Sequence, residues 1–167
     1  SQAVGTLGFG HGSWFFPLTK DAKPEVLDSF PTAWGPTYSP DGRWIAYTSN
    51  ESGRYEIYVT DARRRGARQK VSLDGGEEPL WSPRGGELIY RWGQEWLALS
   101  TPTGSATSFG RPRVILRGPY VNVFERSHDI SLDGRRHLLV LGPSAQTTTR
   151  LNVILNWSSA AVAGARQ

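Results

Sequence analysis

Ser127, His128 and Asp129 carry the three functional groups of a hydrolase triad, but they are consecutive in the sequence. A triad needs a hydroxyl, an imidazole and a carboxylate that converge in space. Consecutive side chains of a strand point alternately to opposite faces, so these three residues cannot form a triad by themselves. The chain has no Gly-x-Ser-x-Gly elbow, His-Glu-x-x-His motif or phosphate-binding loop. The sequence therefore predicts a protein that is not an enzyme.

The densest charge in the chain is a basic run that holds five of its nineteen Lys and Arg residues. Such a cluster can bind phosphates or acidic partners. The alternative is a solvated loop between two outer strands, which the sequence favours, and nucleic acid is not the expected partner. The members of this basic patch are Arg63, Arg64, Arg65, Arg68 and Lys70.

Two weaker binding possibilities rest on side chains at repeated places in the chain. Tyr38, Trp81, His128 and Asp129 lie in comparable short strands and could form an aromatic and polar pocket for a small ligand or peptide. The alternative for these residues is packing between neighbouring sheets. Carboxylates at repeated turns could approach a cation, but a calcium-type site needs several more oxygen ligands. With no Cys either, we expect no metal site and no cofactor.

Three copies of one phrase set the positions of these residues. Each copy is a tight turn followed by an apolar β-type run, at Ser39–Tyr47, Ser82–Tyr90 and Ser131–Leu139. The copies begin 43 and then 49 residues apart. Repeats of roughly 40–50 residues built from short strands are typical of a β-propeller with one blade per repeat. The sequence therefore predicts an all-β fold, a partial β-propeller of four-stranded antiparallel blades.

The repeats predict two full blades between two partial ones, all in a single domain that covers 1–167. The blades are predicted at 4–28 (partial), 36–73, 79–117 and 128–157 (partial), with a tail at 158–167. The predicted strands are 4–9, 13–18 and 24–28, then 36–39, 44–49, 55–60 and 69–73, then 79–82, 87–92, 95–99 and 113–117, then 128–131, 137–141 and 151–157. A propeller avoids open sheet edges by closing into a ring. We therefore expect either a piece of a larger ring or copies that complete one together.

Bulk composition agrees with a chain outside the membrane. Hydrophobic residues make up 38% of the 167 residues, and no apolar run approaches the roughly 18–20 residues of a membrane span. The first residues lack the basic and apolar regions of a signal peptide, and the chain contains no Met. The expectation is a processed or excised piece of something longer.

The phrase Ser39–Tyr47, continued through Ser49–Gly53 to Glu56–Val59, resembles the WD-like propeller repeat of TolB-like proteins. Those repeats read Pro-x-Trp-Ser-Pro-Asp-Gly, then an apolar strand, then an Asp- or Glu-Ile-Tyr strand. Tyr38 takes the Trp place in one copy, and Trp81 keeps it in the next. The segment Arg150–Trp157 resembles the end of bacterial propellers that follow a membrane-anchored Ser/Thr kinase domain, although the kinase motifs are missing here.

The resemblance implies a bacterial scaffold without an effector domain, whose partners are proteins. We expect self-association that completes the ring, as a homo-oligomer such as a dimer, or binding to other proteins. An extracytoplasmic location is slightly favoured by the resemblance, which leaves the compartment open. One alternative is a sensor that binds a glycan, peptide or small molecule at the channel end. Another is the remnant of a propeller-bearing kinase or hydrolase.

Overall fold

The computed structural model describes residues 2–6, 13–17, 23, 25–28, 33–63, 68–120 and 127–140. Within these ranges all regular elements are β-strands, and no helix there could cross a membrane. The strands are β1 (Gln2–Thr6), β2 (Ser13–Pro17), β3 (Glu25–Asp28), β4 (Trp34–Tyr38), β5 (Trp44–Ser49), β6 (Glu56–Asp61), β7 (Arg68–Lys70), β8 (Glu77–Trp81), β9 (Glu87–Trp92), β10 (Glu95–Ser100), β11 (Arg113–Arg117), β12 (His128–Ile130) and β13 (His137–Leu139).

These strands form four antiparallel sheets in which each strand pairs with its neighbour in sequence. The first sheet has the order β1-β2-β3, the second β4-β5-β6-β7, the third β8-β9-β10-β11 and the fourth β12-β13. A four-stranded antiparallel meander repeated along the chain is the architecture of propeller blades. The second and third sheets are two such blades, which confirms the predicted all-β, partial-propeller fold.

The predicted strands coincide with β5, β9 and β11 at both ends, and most others differ by one to three residues. The inner strands β4 and β8 begin earlier than predicted, because pairing continues across a bulge that contains a proline. The outer strand β7 is shorter than predicted, because the Ser72 hydroxyl accepts the Ile57 N–H at 2.8 Å in place of a backbone carbonyl. The predicted strand 151–157 and the tail 158–167 lie outside the described residues.

The sheets stack face to face, and side-chain alternation decides which residues meet. Trp44, Ala46 and Val59 of the second sheet pack with Trp81 and Leu88 of the third in one core cluster. The opposite face of the third sheet supplies a second cluster, which contains Leu80, Ile89, Trp96 and Ala98 and packs with Ile130 and Leu139 of the fourth sheet. Each of these two sheet-to-sheet layers therefore contains a closely packed apolar cluster, as between successive blades.

Gly76 lies against the core between the second and third sheets, where there is no room for a larger side chain. A Cβ atom at Gly76 would lie 2.7 Å from Cγ1 of Ile57 and 2.9 Å from Cδ2 of Tyr90, and both of those side chains are buried. We expect Gly76→Ala to lower the free energy of unfolding by about 1–3 kcal/mol, since neither neighbour can move away freely. Urea denaturation measures this loss. The control is the double variant Gly76→Ala with Ile57→Ala, because the second substitution removes the nearest neighbour of the added Cβ; a loss equal to the sum of the two single losses contradicts the packing argument.

Candidate functional site

The repeated phrase is a hydrogen-bonded turn in which the aspartate is fully engaged. Ser39 Oγ and the Arg43 N–H both donate to Asp41 Oδ1, at 2.5 and 3.0 Å, and the Trp44 N–H donates to Ser39 Oγ at 2.9 Å. Gly42, at a φ of +67°, donates its N–H to the Ser39 carbonyl. The hydrogen bonds from Ser39 and Arg43 lower the pKa of Asp41. The interpretation of the phrase as turn chemistry is confirmed.

The third copy repeats this geometry, whereas the second does not contain the carboxylate. Ser131 Oγ and the Arg135 N–H donate to Asp133 Oδ1 at 2.5 and 3.0 Å. In the second copy Arg84 takes the aspartate place, and the Gly85 N–H still donates to the Ser82 carbonyl at 2.8 Å. Among the described residues no three His, Asp or Glu side chains are grouped as metal ligands would be.

The four side chains of the predicted pocket lie on different sheet faces. Trp81 is buried between the second and third sheets, where its Nε1–H donates to the Thr37 carbonyl at 3.0 Å. Tyr38 packs on the other face of the second sheet, and its burial raises the pKa of its hydroxyl. His128 is buried against the third sheet, while Asp129 is exposed. The structure does not bring these four together, and a ligand-binding role for any one of them stays a prediction.

The basic patch is partly neutralised where the structure describes it. Arg68 Nη2 lies 2.7 Å from Glu51 Oε2, and Lys70 Nζ lies 3.3 Å from Glu56 Oε1. Arg63 is exposed and lines a cleft. Arg64 and Arg65 lie outside the described residues. Two of the three described members are therefore held by acidic neighbours, and the binding role of the patch stays a prediction.

A buried group of polar side chains connects the third and fourth sheets, and we call it the interblade cluster. Arg91 on β9 donates from Nη2 to Glu77 Oε2 at 2.5 Å and from Nε to Glu78 Oε1 at 2.9 Å. The second oxygen of Glu78 accepts the Ser127 N–H at 2.9 Å and also the Ser127 hydroxyl. His128 Nδ1 lies 3.6 Å from the same oxygen. Charged groups of both signs thus meet inside the molecule and span two blades.

Glu78 holds a backbone conformation that normally favours glycine. Its φ is +56°, and the first full repeat has Gly35 at the same place with a φ of +63°. Both residues precede a proline in the bulge of an inner strand. A left-handed conformation costs a non-glycine residue roughly 1–2 kcal/mol. The Glu78 side chain offsets this strain by reaching both Arg91 and the fourth sheet.

The partners of Glu78 also decide its charge state. Burial raises the pKa of the Glu78 carboxyl, but the nearby His128 imidazole and the hydrogen bonds from the Ser127 side chain and backbone and from Arg91 outweigh that effect. The net result lowers its pKa from 4.5 to about 2. The carboxylate is therefore ionised and fully engaged, with a side chain only 1% exposed. The interblade cluster fixes two blades against each other and is closed to a substrate.

No protein-family model matches the sequence, and no curated protein does. TolB from Acinetobacter baumannii superposes with a TM-score of 0.56 and 26% identity, covering 81% of this chain and 33% of that one. The putative TolB from Agrobacterium tumefaciens superposes with a TM-score of 0.55 over 83% of this chain and 59% of that one. Its 18% identity supports the fold alone.

The described blades have the fold of a TolB-like β-propeller. The repeat resemblance and the superposition agree on this fold, the first through turn residues and the second through the backbone. The chain spans 33% and 59% of the two TolB chains that it matches. The superposition therefore concerns blades rather than a whole TolB ring.

In this TolB-like propeller none of the described residues covers the outer face of the fourth sheet. Leu138 pairs with Asp129 on that face and is 74% exposed. The same repeat position is Ala46 in the second sheet and Ile89 in the third, exposed by 0% and 3%, because the following sheet covers each of them. Val140, two residues further on, is 46% exposed. The position that buries an apolar side chain in two blades thus presents one to solvent in the next.

Proposed function

We propose that this TolB-like propeller is a non-enzymatic protein-association module whose uncovered blade face is filled by a second copy of the chain. The observation that carries the proposal is the exposure of Leu138 at a place where Ala46 and Ile89 are buried. Burial of apolar area is the main source of stability in protein association. A blade of a second copy has the shape that already fills this place twice within the chain.

The symmetry of such an association follows from the repeat. The contact joins the outer face of the fourth sheet to a different face of another copy, so it is heterologous. Two such contacts related by a twofold axis would close a ring, and a dimer is then the expected assembly. Closure would cover Leu138, Val140 and Leu132, the last of which is 89% exposed in the turn before β13. Other proteins that present an apolar sheet face are the second class of partner.

Where this association takes place is also a proposal. The likeness to TolB from Acinetobacter baumannii supports a bacterial and extracytoplasmic setting. In that setting the module would act through the proteins it binds.

The test is the molar mass in solution of the wild-type chain and of Leu138→Asp, measured by light scattering over a range of concentrations. We expect the wild type to form a dimer. The charged side chain must be desolvated at the interface, so we expect Leu138→Asp to weaken the dimer by about a hundredfold or more.

Leu73→Asp is the matched control, because Leu73 is 57% exposed but lies beyond β7 in the second sheet. We expect this variant to keep the wild-type dissociation constant. A wild-type chain that stays monomeric at every concentration overturns the self-association. Equal weakening by both substitutions overturns the assignment of the fourth sheet.

A further inference from the structure

We propose that an arginine-lined cleft between the second and third sheets binds an oxyanion group, a carboxylate or a phosphate, presented by an acidic peptide segment. The cleft has a volume of about 450 Å³ and is lined by Arg43, Asp61, Arg63, Ser105 and Thr107. It is distinct from the uncovered face of the fourth sheet. The inference therefore does not depend on self-association.

Arg43 is held in place before any ligand arrives. Its Nη1 donates to the Gly104 carbonyl at 2.5 Å and its Nη2 to the Ala106 carbonyl at 2.9 Å. The guanidinium carbon also lies 4.6 Å from the centre of the Trp44 ring. A guanidinium has five N–H donors, so these two bonds leave donors for a ligand. Because the charge is already positioned, little conformational entropy is lost when an anion binds.

The other groups of the cleft complement this charge. Ser105 and Thr107 alternate with the two residues whose carbonyls hold Arg43, and both are exposed. Arg63 brings a second exposed guanidinium from the loop after β6. The Asp61 carboxylate accepts the Arg63 N–H at 2.8 Å. The cleft thus has two cations against one anion, with two hydroxyl donors beside them.

This donor set selects the ligand by its chemistry. Guanidinium groups form two parallel hydrogen bonds with carboxylates and phosphates, which adds direction to the charge attraction. The two guanidinium groups of the lining favour an anionic ligand. A volume of about 450 Å³ exceeds that of a single ion and suits several residues of an extended acidic peptide.

The experiment measures the binding of three fluorescent hexapeptides, built from glutamate, glutamine or phosphoserine with glycine, by anisotropy at low and high salt. The glutamate and phosphoserine peptides separate the two sources of the oxyanion, and the glutamine peptide removes the charge. The variants are Arg63→Glu and the double substitution Ser105→Ala with Thr107→Val. All three positions are exposed, so these variants should fold.

Arg135→Glu is the matched control, since Arg135 is an exposed arginine at the place of Arg43 in the third copy of the phrase. We expect Arg63→Glu to weaken binding of a charged peptide by about tenfold or more, and Arg135→Glu to leave it nearly unchanged. Binding of only one charged peptide identifies the oxyanion. Equal binding of the glutamine peptide, equal loss in the two arginine variants, or no binding of either charged peptide overturns the proposal.

Discussion

Arg91→Leu is expected to lower the free energy of unfolding by about 3–5 kcal/mol, which is a large part of the stability of a domain this size. Arg91 is 3% exposed and is the cation between Glu77 and Glu78. Its removal leaves two carboxylates inside the molecule without the cation that compensates them. A buried carboxylate without its cation lowers the free energy of unfolding by far more than the original ion pair raised it. Urea denaturation followed by tryptophan fluorescence, at one fixed protein concentration, measures the loss.

The matched control is Arg117→Leu in the same sheet. Arg117 Nε lies 2.8 Å from Glu95 Oε1, but the two side chains are 72% and 36% exposed. Solvent screens this pair, so we expect Arg117→Leu to cost less than about 1 kcal/mol. The two variants lose the same side chain and the same charge. Their difference therefore isolates the effect of burial, and equal losses would show that the Arg91 cluster is accessible to water.

A second substitution that restores stability would distinguish the charge of Arg91 from the volume of its side chain. Replacing Glu77 with Leu in the Arg91→Leu chain removes one of the two carboxylates that Arg91 compensates, while Glu78 still accepts the Ser127 N–H and hydroxyl. We expect this double variant to recover part of the lost stability, since a buried ion pair can be exchanged for apolar side chains at little net cost. No recovery would mean that the volume of Arg91, rather than its charge, holds the two sheets.

Local chain chemistry was enough to predict the blades. The turn phrase places a Gly at positive φ and ends one strand just before the next begins, so β5 and β9 could be located to the residue. The bulges in β4 and β8 could not be predicted in this way. Pro36 and Pro79 predict the start of a strand, because proline cannot donate to a ladder. Gly35 and Glu78 adopt left-handed conformations that carry the pairing past each proline.

The interblade cluster was missed because its contacts are remote in sequence. Ser127 and Glu78 are 49 residues apart, and nothing local to either residue predicts the pairing. One signal was present, namely a charged Arg91 inside the apolar run that forms β9. Together with two adjacent acidic residues at the start of β8, this arginine indicates a buried ion group. The pocket was predicted wrongly from the repeat alone, because Trp81 and His128 occupy comparable inner strands but face different sheet-to-sheet layers. A ligand-binding role for either residue stays a prediction.

The second large effect is a loss of stability in acid that depends on Glu78. Its pKa is about 2 in the folded chain and 4.5 as the ordinary value. A carboxyl whose pKa is lowered by folding stabilises the fold above its unfolded pKa, and this contribution disappears as pH falls through the folded pKa. The window is therefore pH 4.5 down to about 2. Across it, we expect Glu78 to account for a loss of about 3 kcal/mol.

Glu78→Gln isolates this contribution from the other acidic groups. Folding also lowers the pKa values of Asp41 and Glu56, so the wild-type curve includes their losses. The glutamine variant keeps those groups and cannot ionise at position 78. We expect wild type to be the more stable protein at pH 5 and the two unfolding free energies to converge toward pH 2. Curves that run parallel over this range would show that the Glu78 carboxylate does not stabilise the joint between the third and fourth sheets. Convergence would show that acid weakens the contact between the third and fourth sheets, next to the face on which self-association is proposed.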